Sequence, residues 1–262
     1  MRASRFDGLP GATCAALAVA VTVPYVWGAL GGVVWPVLAG VAAIAAFAWC
    51  WPRVGRARAS PGATGVLAGD GVLFLVVTAG VAALLAATAP PRGLAPGGGA
   101  DVTHHLMLVE ELARTRHLVT DPAAGVRLAE MAHYTPGLHL LAVTVADLTG
   151  WEPWRLLYPV VLASVALKAG WLALVARRVV GGVGGRPGAS VLGAAAVALV
   201  LFVPRAYSVG GFLEAGFLAQ VASEAAMVSG WWALVCWTAA PSLTWAALVG
   251  LSSAATFVIW PI

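Results

Sequence analysis

An all-α integral membrane protein is predicted by three features of this 262-residue chain. Its mean hydropathy is +0.90, with 61% of residues hydrophobic and 10% charged, far more apolar than a soluble domain, where roughly one half is usual. Apolar stretches close to the roughly 20 residues that cross a bilayer recur along it. The basic residues collect at the ends of those stretches, where the positive-inside rule puts them. About seven spans are expected, at 13–31, 33–51, 66–88, 156–176, 189–204, 217–239 and 243–260, with a shorter apolar stretch at 134–149.

The amino-terminal region, 1–88, opens with Arg2 and Arg5 ahead of its first apolar stretch. That order resembles a signal peptide in outline, but further spans follow at once, so the stretch reads as a retained helix with the amino terminus in the cytoplasm. Two crossings return the chain to the cytoplasm at WPRVGRARAS, where Arg53, Arg56 and Arg58 lie, and the third helix exits. Residues 89–155 then form a loop on the outer face with amphipathic, juxtamembrane helices. Arg177, Arg178 and Arg186 form the next basic cluster, which requires an odd number of crossings in between. The stretch 134–149 is the one to demote: it is short, opens with Pro136 and Gly137, and carries His139 and Asp147. It is expected to lie at or dip into the outer interface. The last region, 156–262, returns to spanning helices, with a re-entrant segment expected near 205–224 around Arg205, Glu214 and Glu224. Because TFVIWPI ends within an apolar run, the sequence is expected to be the amino-terminal part of a longer chain.

Several function classes are disfavoured by the same residues. Cys14, Cys50 and Cys236 each lie in an apolar segment with neither disulfide nor CxxC spacing, and read as packing residues. The net charge of +4 comes from residues at segment ends, so no nucleic-acid partner is implied. Phosphate-loop, GxSxG and dinucleotide fingerprints are missing. Lys168 is the one ionisable residue deep in a strongly predicted helix, and is expected to snorkel toward an interface. A single lysine among fifteen basic residues suggests a GC-rich bacterial genome, hence a bacterial cytoplasmic (inner) membrane.

Chemistry concentrates in the outer loop. ADVTHHLMLVEELARTRH gathers three of the five histidines with Asp101, Glu110 and Glu111, and HYTPGLH supplies His133 and His139. At 100° per residue Val102, Leu106, Val109 and Ala113 form an apolar stripe, leaving Asp101, His104, His105 and Glu111 on the other face with Leu108 and Leu112. Plainer roles stand beside this one: Asp101 as an N-cap, Glu110 and Arg114 as a solvated pair four residues apart, and His117 at the surface. Imidazoles and carboxylates also suit a metal, yet no HExxH-like spacing selects a ligand set, and the metal ligands stay unknown.

The order of these features resembles the GT-C superfamily of polytopic membrane glycosyltransferases, which includes protein O-mannosyltransferases and lipid A aminoarabinose transferases. A transmembrane helix precedes an outer loop that opens on an Asp and an amphipathic helix (ADVTHHLMLVEELARTRHLVTD). An aromatic-proline motif then opens a hydrophobic helix (HYTPGLHLLAVTVADLTG), followed by a Trp/Arg element leading to paired arginines (WEPWRLLYPVVLASVALKAGWLALVARRV). The likeness covers about 100–180. It implies transfer of a sugar from a polyprenyl-phosphate donor to a cell-envelope acceptor at the outer face, with membrane lipid as partner and a divalent metal, Mg or Mn, as the candidate cofactor. It maps the family's acidic loop residue, a base or metal ligand, onto Asp101, with His104 beside it; His105, Glu111, His133, Tyr134, His139, Arg155 and Arg205 are the candidate substrate-binding residues. The family's loop usually follows its first helix and here follows the third, which implies two added helices in front. A multi-pass transporter and a non-catalytic cell-envelope protein are the alternative readings.

Overall fold

The computed structural model describes residues 7–57, 69–88, 100–119, 124–181, 193, 197 and 218–260; of Asp101 it describes the backbone alone. The regular elements among these residues are all helical, without strands: α1 (Leu9–Ala29), α2 (Pro36–Ala57), α3 (Asp70–Thr88), α4 (Ala100–Thr115), α5 (Ala124–Leu128), a 3-10 turn (Ala129–His133), α6 (Gly137–Thr149), α7 (Pro153–Gly181), α8 (Leu218–Ala239) and α9 (Leu243–Ile259). Four of them, α1, α2, α3 and α7, are long and apolar enough to cross a membrane. Of the stretch 189–204, Gly193 and Val197 are described; both are helical, and Val197 packs against Ala169 and Ala173 of α7. The segment at 205–224, including Arg205 and Glu214, falls outside the described residues up to 217; α8 begins at Leu218.

The helices form a bundle in which α1 lies against α2, α9 and α6, while α7 is flanked by α3 and α8. Burial follows this arrangement: α1 and α7 are mostly covered by protein, whereas α2 and α3 keep broad apolar faces exposed, including Leu38, Val41, Ile44, Leu75 and Val76. Exposed apolar surface on that scale is expensive in water and neutral in lipid. Cys14 makes hydrogen bonds as well as packing: its Sγ lies 3.5 Å from Ser229 Oγ and 3.1 Å from Ser252 Oγ, and the two hydroxyls are 3.2 Å apart, fastening α1, α8 and α9 together.

The two ends of the bundle differ. At one, the start of α1 meets the end of α2, and a side chain at Gly8 would strike the Trp51 carbonyl at 2.3 Å. Asp70, fully buried in the first turn of α3, accepts from Arg177 at 2.8 Å and Arg178 at 2.7 Å at the end of α7. The helix-start dipole favours the carboxylate as well. Charges here are paired inside the protein, which is what makes their burial affordable.

The other end carries a cap built by α4, α5, the 3-10 turn and α6. At about 1.5 Å per residue the 13-residue α6 is about 20 Å long, short of the roughly 30 Å hydrocarbon core. It lies across the bundle end. At its start a side chain on Gly137 would meet the Val258 carbonyl at 2.7 Å, at the end of α9; near its finish Leu148 packs on Gly40, in the first turns of α2. Gly150, at φ 74°, closes it in the left-handed conformation that a residue without Cβ adopts without strain.

Candidate functional site

The cap organises its polar residues in three groups. The innermost is a buried aromatic cluster between α4 and α6. His105 Nδ1 and His139 Nε2 are 2.9 Å apart, so one ring donates and the other accepts, and the rings stack with centroids 5.1 Å apart. Tyr134 stands edge-on to both, at 5.3 and 5.8 Å, and touches Trp260 at 5.5 Å. Both histidines are essentially inaccessible. Burial, and then the neighbouring His105, hold the His139 ring well below the usual histidine range, against the opposite pull of the Pro136 carbonyl. His139 Nδ1 makes no well-formed hydrogen bond. Enclosed and hydrogen-bonded to each other, the two rings seat α4 on α6.

This cluster corrects the helical-wheel reading of α4. The buried face is His105, Leu108, Val109 and Leu112, while Val102, Leu106 and Ala113 are half-buried. The apolar stripe is thus rotated away from the expected one. A histidine was assumed to face water; paired with His139 it can face the core, and Leu108 and Leu112 come with it.

The second group is a clamp. Arg116 holds Asp147 of α6 through two hydrogen bonds, 2.6 and 3.1 Å, while its carbonyl accepts from Val34 of the α1–α2 connection at 2.6 Å. Its φ of 58° is unusual for a side chain other than glycine. Three chain segments fix that conformation.

The third group lines an open cleft of about 510 Å3 between α4, α5 and the start of α7. Glu111 accepts two hydrogen bonds from Arg114, at 3.0 and 2.9 Å, and one from Arg127 at 2.6 Å. Arg114 therefore pairs with Glu111, three residues back, rather than with Glu110; both spacings bring side chains together on a helix. Glu110 and Trp154 also line the cleft. Arg155 follows, bonded to Glu152 at 2.7 Å with its guanidinium 4.9 Å from the Trp154 ring centroid. On the surface of the cap His104 Nδ1 lies 3.3 Å from Glu130, and His133 is exposed.

The candidate residues thus divide. His105, Tyr134 and His139 come together, Glu111 lines the cleft, Arg155 lies over the ring of the cleft residue Trp154, and His104 pairs with Glu130. The Asp101 side chain and Arg205 lie outside the described residues. Among the described residues no three His, Cys, Asp or Glu side chains converge on a position that could hold a metal ion. Arg127 and Trp154 are not among the residues selected from the sequence; Arg127 lies in the five-residue α5, too short for a periodicity to place it.

One further correction concerns the bundle. Lys168, near the middle of α7, is buried and hydrogen-bonds Glu224 in the second turn of α8; it does not snorkel.

Compared with known proteins, the chain matches no family model, no curated protein and no solved structure.

Proposed function

We propose that this chain is a membrane glycosyltransferase-like protein that takes a sugar from a polyprenyl-phosphate donor and passes it to a cell-envelope acceptor at the outer face. The observation that carries the reading is the distribution of ionisable groups. Four of those of the cap, Glu110, Glu111, Arg114 and Arg127, line an open cleft at one bundle end, whereas the charges at depth, Lys168 and Glu224, are buried together. A transporter requires ionisable groups that face a pathway at membrane depth; surface chemistry requires the reverse distribution. In this reading about seven helices span, the amino terminus is cytoplasmic, and α6 lies in the outer interface of a bacterial inner membrane.

Asp101 stands at the first turn of α4, one turn before His105. An acceptor hydroxyl is a poor nucleophile, and a carboxylate that takes its proton as the new bond forms supplies about 10² to 10⁴ in rate. Arg155, whose guanidinium lies over the ring of the cleft residue Trp154, and Arg205 are the candidate cations for the departing lipid phosphate.

The test is turnover in proteoliposomes supplied with a panel of radiolabelled polyprenyl-phosphate sugars and a crude envelope acceptor. The wild-type protein should move label out of the donor fraction for at least one sugar, and Asp101→Asn, which keeps the side-chain size and capping ability, should be at least about 100-fold slower at equal protein level. Equal rates in both proteins would remove Asp101 from the chemistry. No transfer from any donor would remove the transferase reading.

A further inference from the structure

The cleft of α4, α5 and α7 has a chemistry more specific than its position. Glu110, Glu111 and Arg114 of α4 and Arg127 of α5 line it together, so its charged groups balance, and a ligand that is only an anion gains little there. Glu111 is nearly enclosed and immobilised by both arginines, whereas Arg114 and Arg127 are more than half exposed. Each guanidinium carries five N–H donors, of which Glu111 takes one or two. The cleft therefore presents donors and acceptors side by side, fixed in place by ion pairs. Trp154 supplies an aromatic surface, and Leu106, Met107 and Leu128 complete apolar walls.

A neutral polyol ring matches that combination. Its hydroxyls both donate and accept, which suits alternating carboxylate and guanidinium groups. Its C–H face is apolar and flat enough to lie on an aromatic ring, the amphipathic use for which tryptophan is suited. The volume falls in the range of small-molecule pockets, roughly 300 to 1,000 Å3, and leaves room for one ring with its substituents. We infer that this cleft is a carbohydrate-binding site, in which a monosaccharide ring stacks on Trp154 and hydrogen-bonds to the Glu111–Arg114–Arg127 network. This rests on the transferase reading only for its purpose: binding of a sugar here does not require that the chain transfer it.

Saturation-transfer NMR on the full chain in nanodiscs tests it, with the methyl glycosides of mannose, glucose, galactose, arabinose and N-acetylglucosamine as probes and inorganic phosphate as competitor. At least one glycoside should receive saturation on its ring protons. That signal should fall about tenfold in Trp154→Ala, a loss on the scale of one aromatic contact, and be partly retained in Trp154→Phe. Glu111→Gln, which loosens both arginines, should lower it as well, and phosphate at 10-fold excess over the glycoside should leave it unchanged. Absence of signal with every glycoside, persistence of signal in Trp154→Ala, or displacement by phosphate would each overturn the assignment. Thermal unfolding of each variant checks that the fold is intact. Because the measurement needs no turnover, a chain that binds glycosides but transfers none fails the transferase reading alone. A chain that transfers sugar without binding at Trp154 fails the cleft assignment alone.

Discussion

His139 shows how a single side chain reports on the cap. Its Nε2 is spent on His105, its ring is enclosed, and protonation would place a charge where water cannot reach. Its folded pKa lies below the ordinary value of about 6.5, so below that pH the unfolded chain binds more protons than the folded one. The stability it confers is therefore fully present above about 6.5 and is lost as pH falls from there toward the depressed folded value, by up to about 1.4 kcal/mol per pH unit. The thermal midpoint in detergent should drop by roughly 3–5 °C per unit between pH 6.5 and 5.5, and His139→Leu should flatten that dependence. An equal slope in the variant would show that another group governs it. The same residue marks where the sequence stopped being legible. Two histidines 34 positions apart in the sequence carry no signal of pairing; unpaired they belong in water, and only the α4–α6 crossing reverses that. Asp101, Glu111 and the HYTPGLH histidines could be selected from composition alone, because polar side chains are scarce in this chain.

At the level of elements, hydropathy and length located α1, α2, α3 and α7 to within a few residues, since lipid imposes a nearly uniform requirement on a crossing helix. The short α6 was distinguishable for the same reason. Helix faces were less legible: α4 was rotated by its buried histidine, and Glu224, expected near an outer re-entrant segment, is inside α8 beside Lys168. A buried ion pair offsets its own desolvation only while both partners remain. Lys168→Met alone should therefore cost about 3–5 kcal/mol, and the double variant Lys168→Met/Glu224→Leu should recover most of it, because two apolar side chains at an α7–α8 contact need no partner. The comparison is read from thermal or denaturant midpoints in one detergent. A double variant as unstable as the single would show that the two helices are held by something other than this pair.

For the whole molecule, the two ends of the bundle carry opposite arrangements. One closes its charges in the Asp70–Arg177–Arg178 cluster, with Asp7 and the end of α2 beside it; the other raises a polar cap with an open cleft. The proposed function puts the first end, with its basic residues, on the cytoplasmic side and requires that the cap face outward. Cysteine accessibility in intact cells measures this directly, using a water-soluble maleimide and a chain whose three native cysteines are replaced. Thr103 is exposed on α4 and Val179 is exposed in the last turns of α7. A cysteine at Thr103 should react from outside, while one at Val179 should react only after the membrane is opened. Labelling of the Val179 position in intact cells, with protection at Thr103, would invert the molecule and contradict transfer at the outer face.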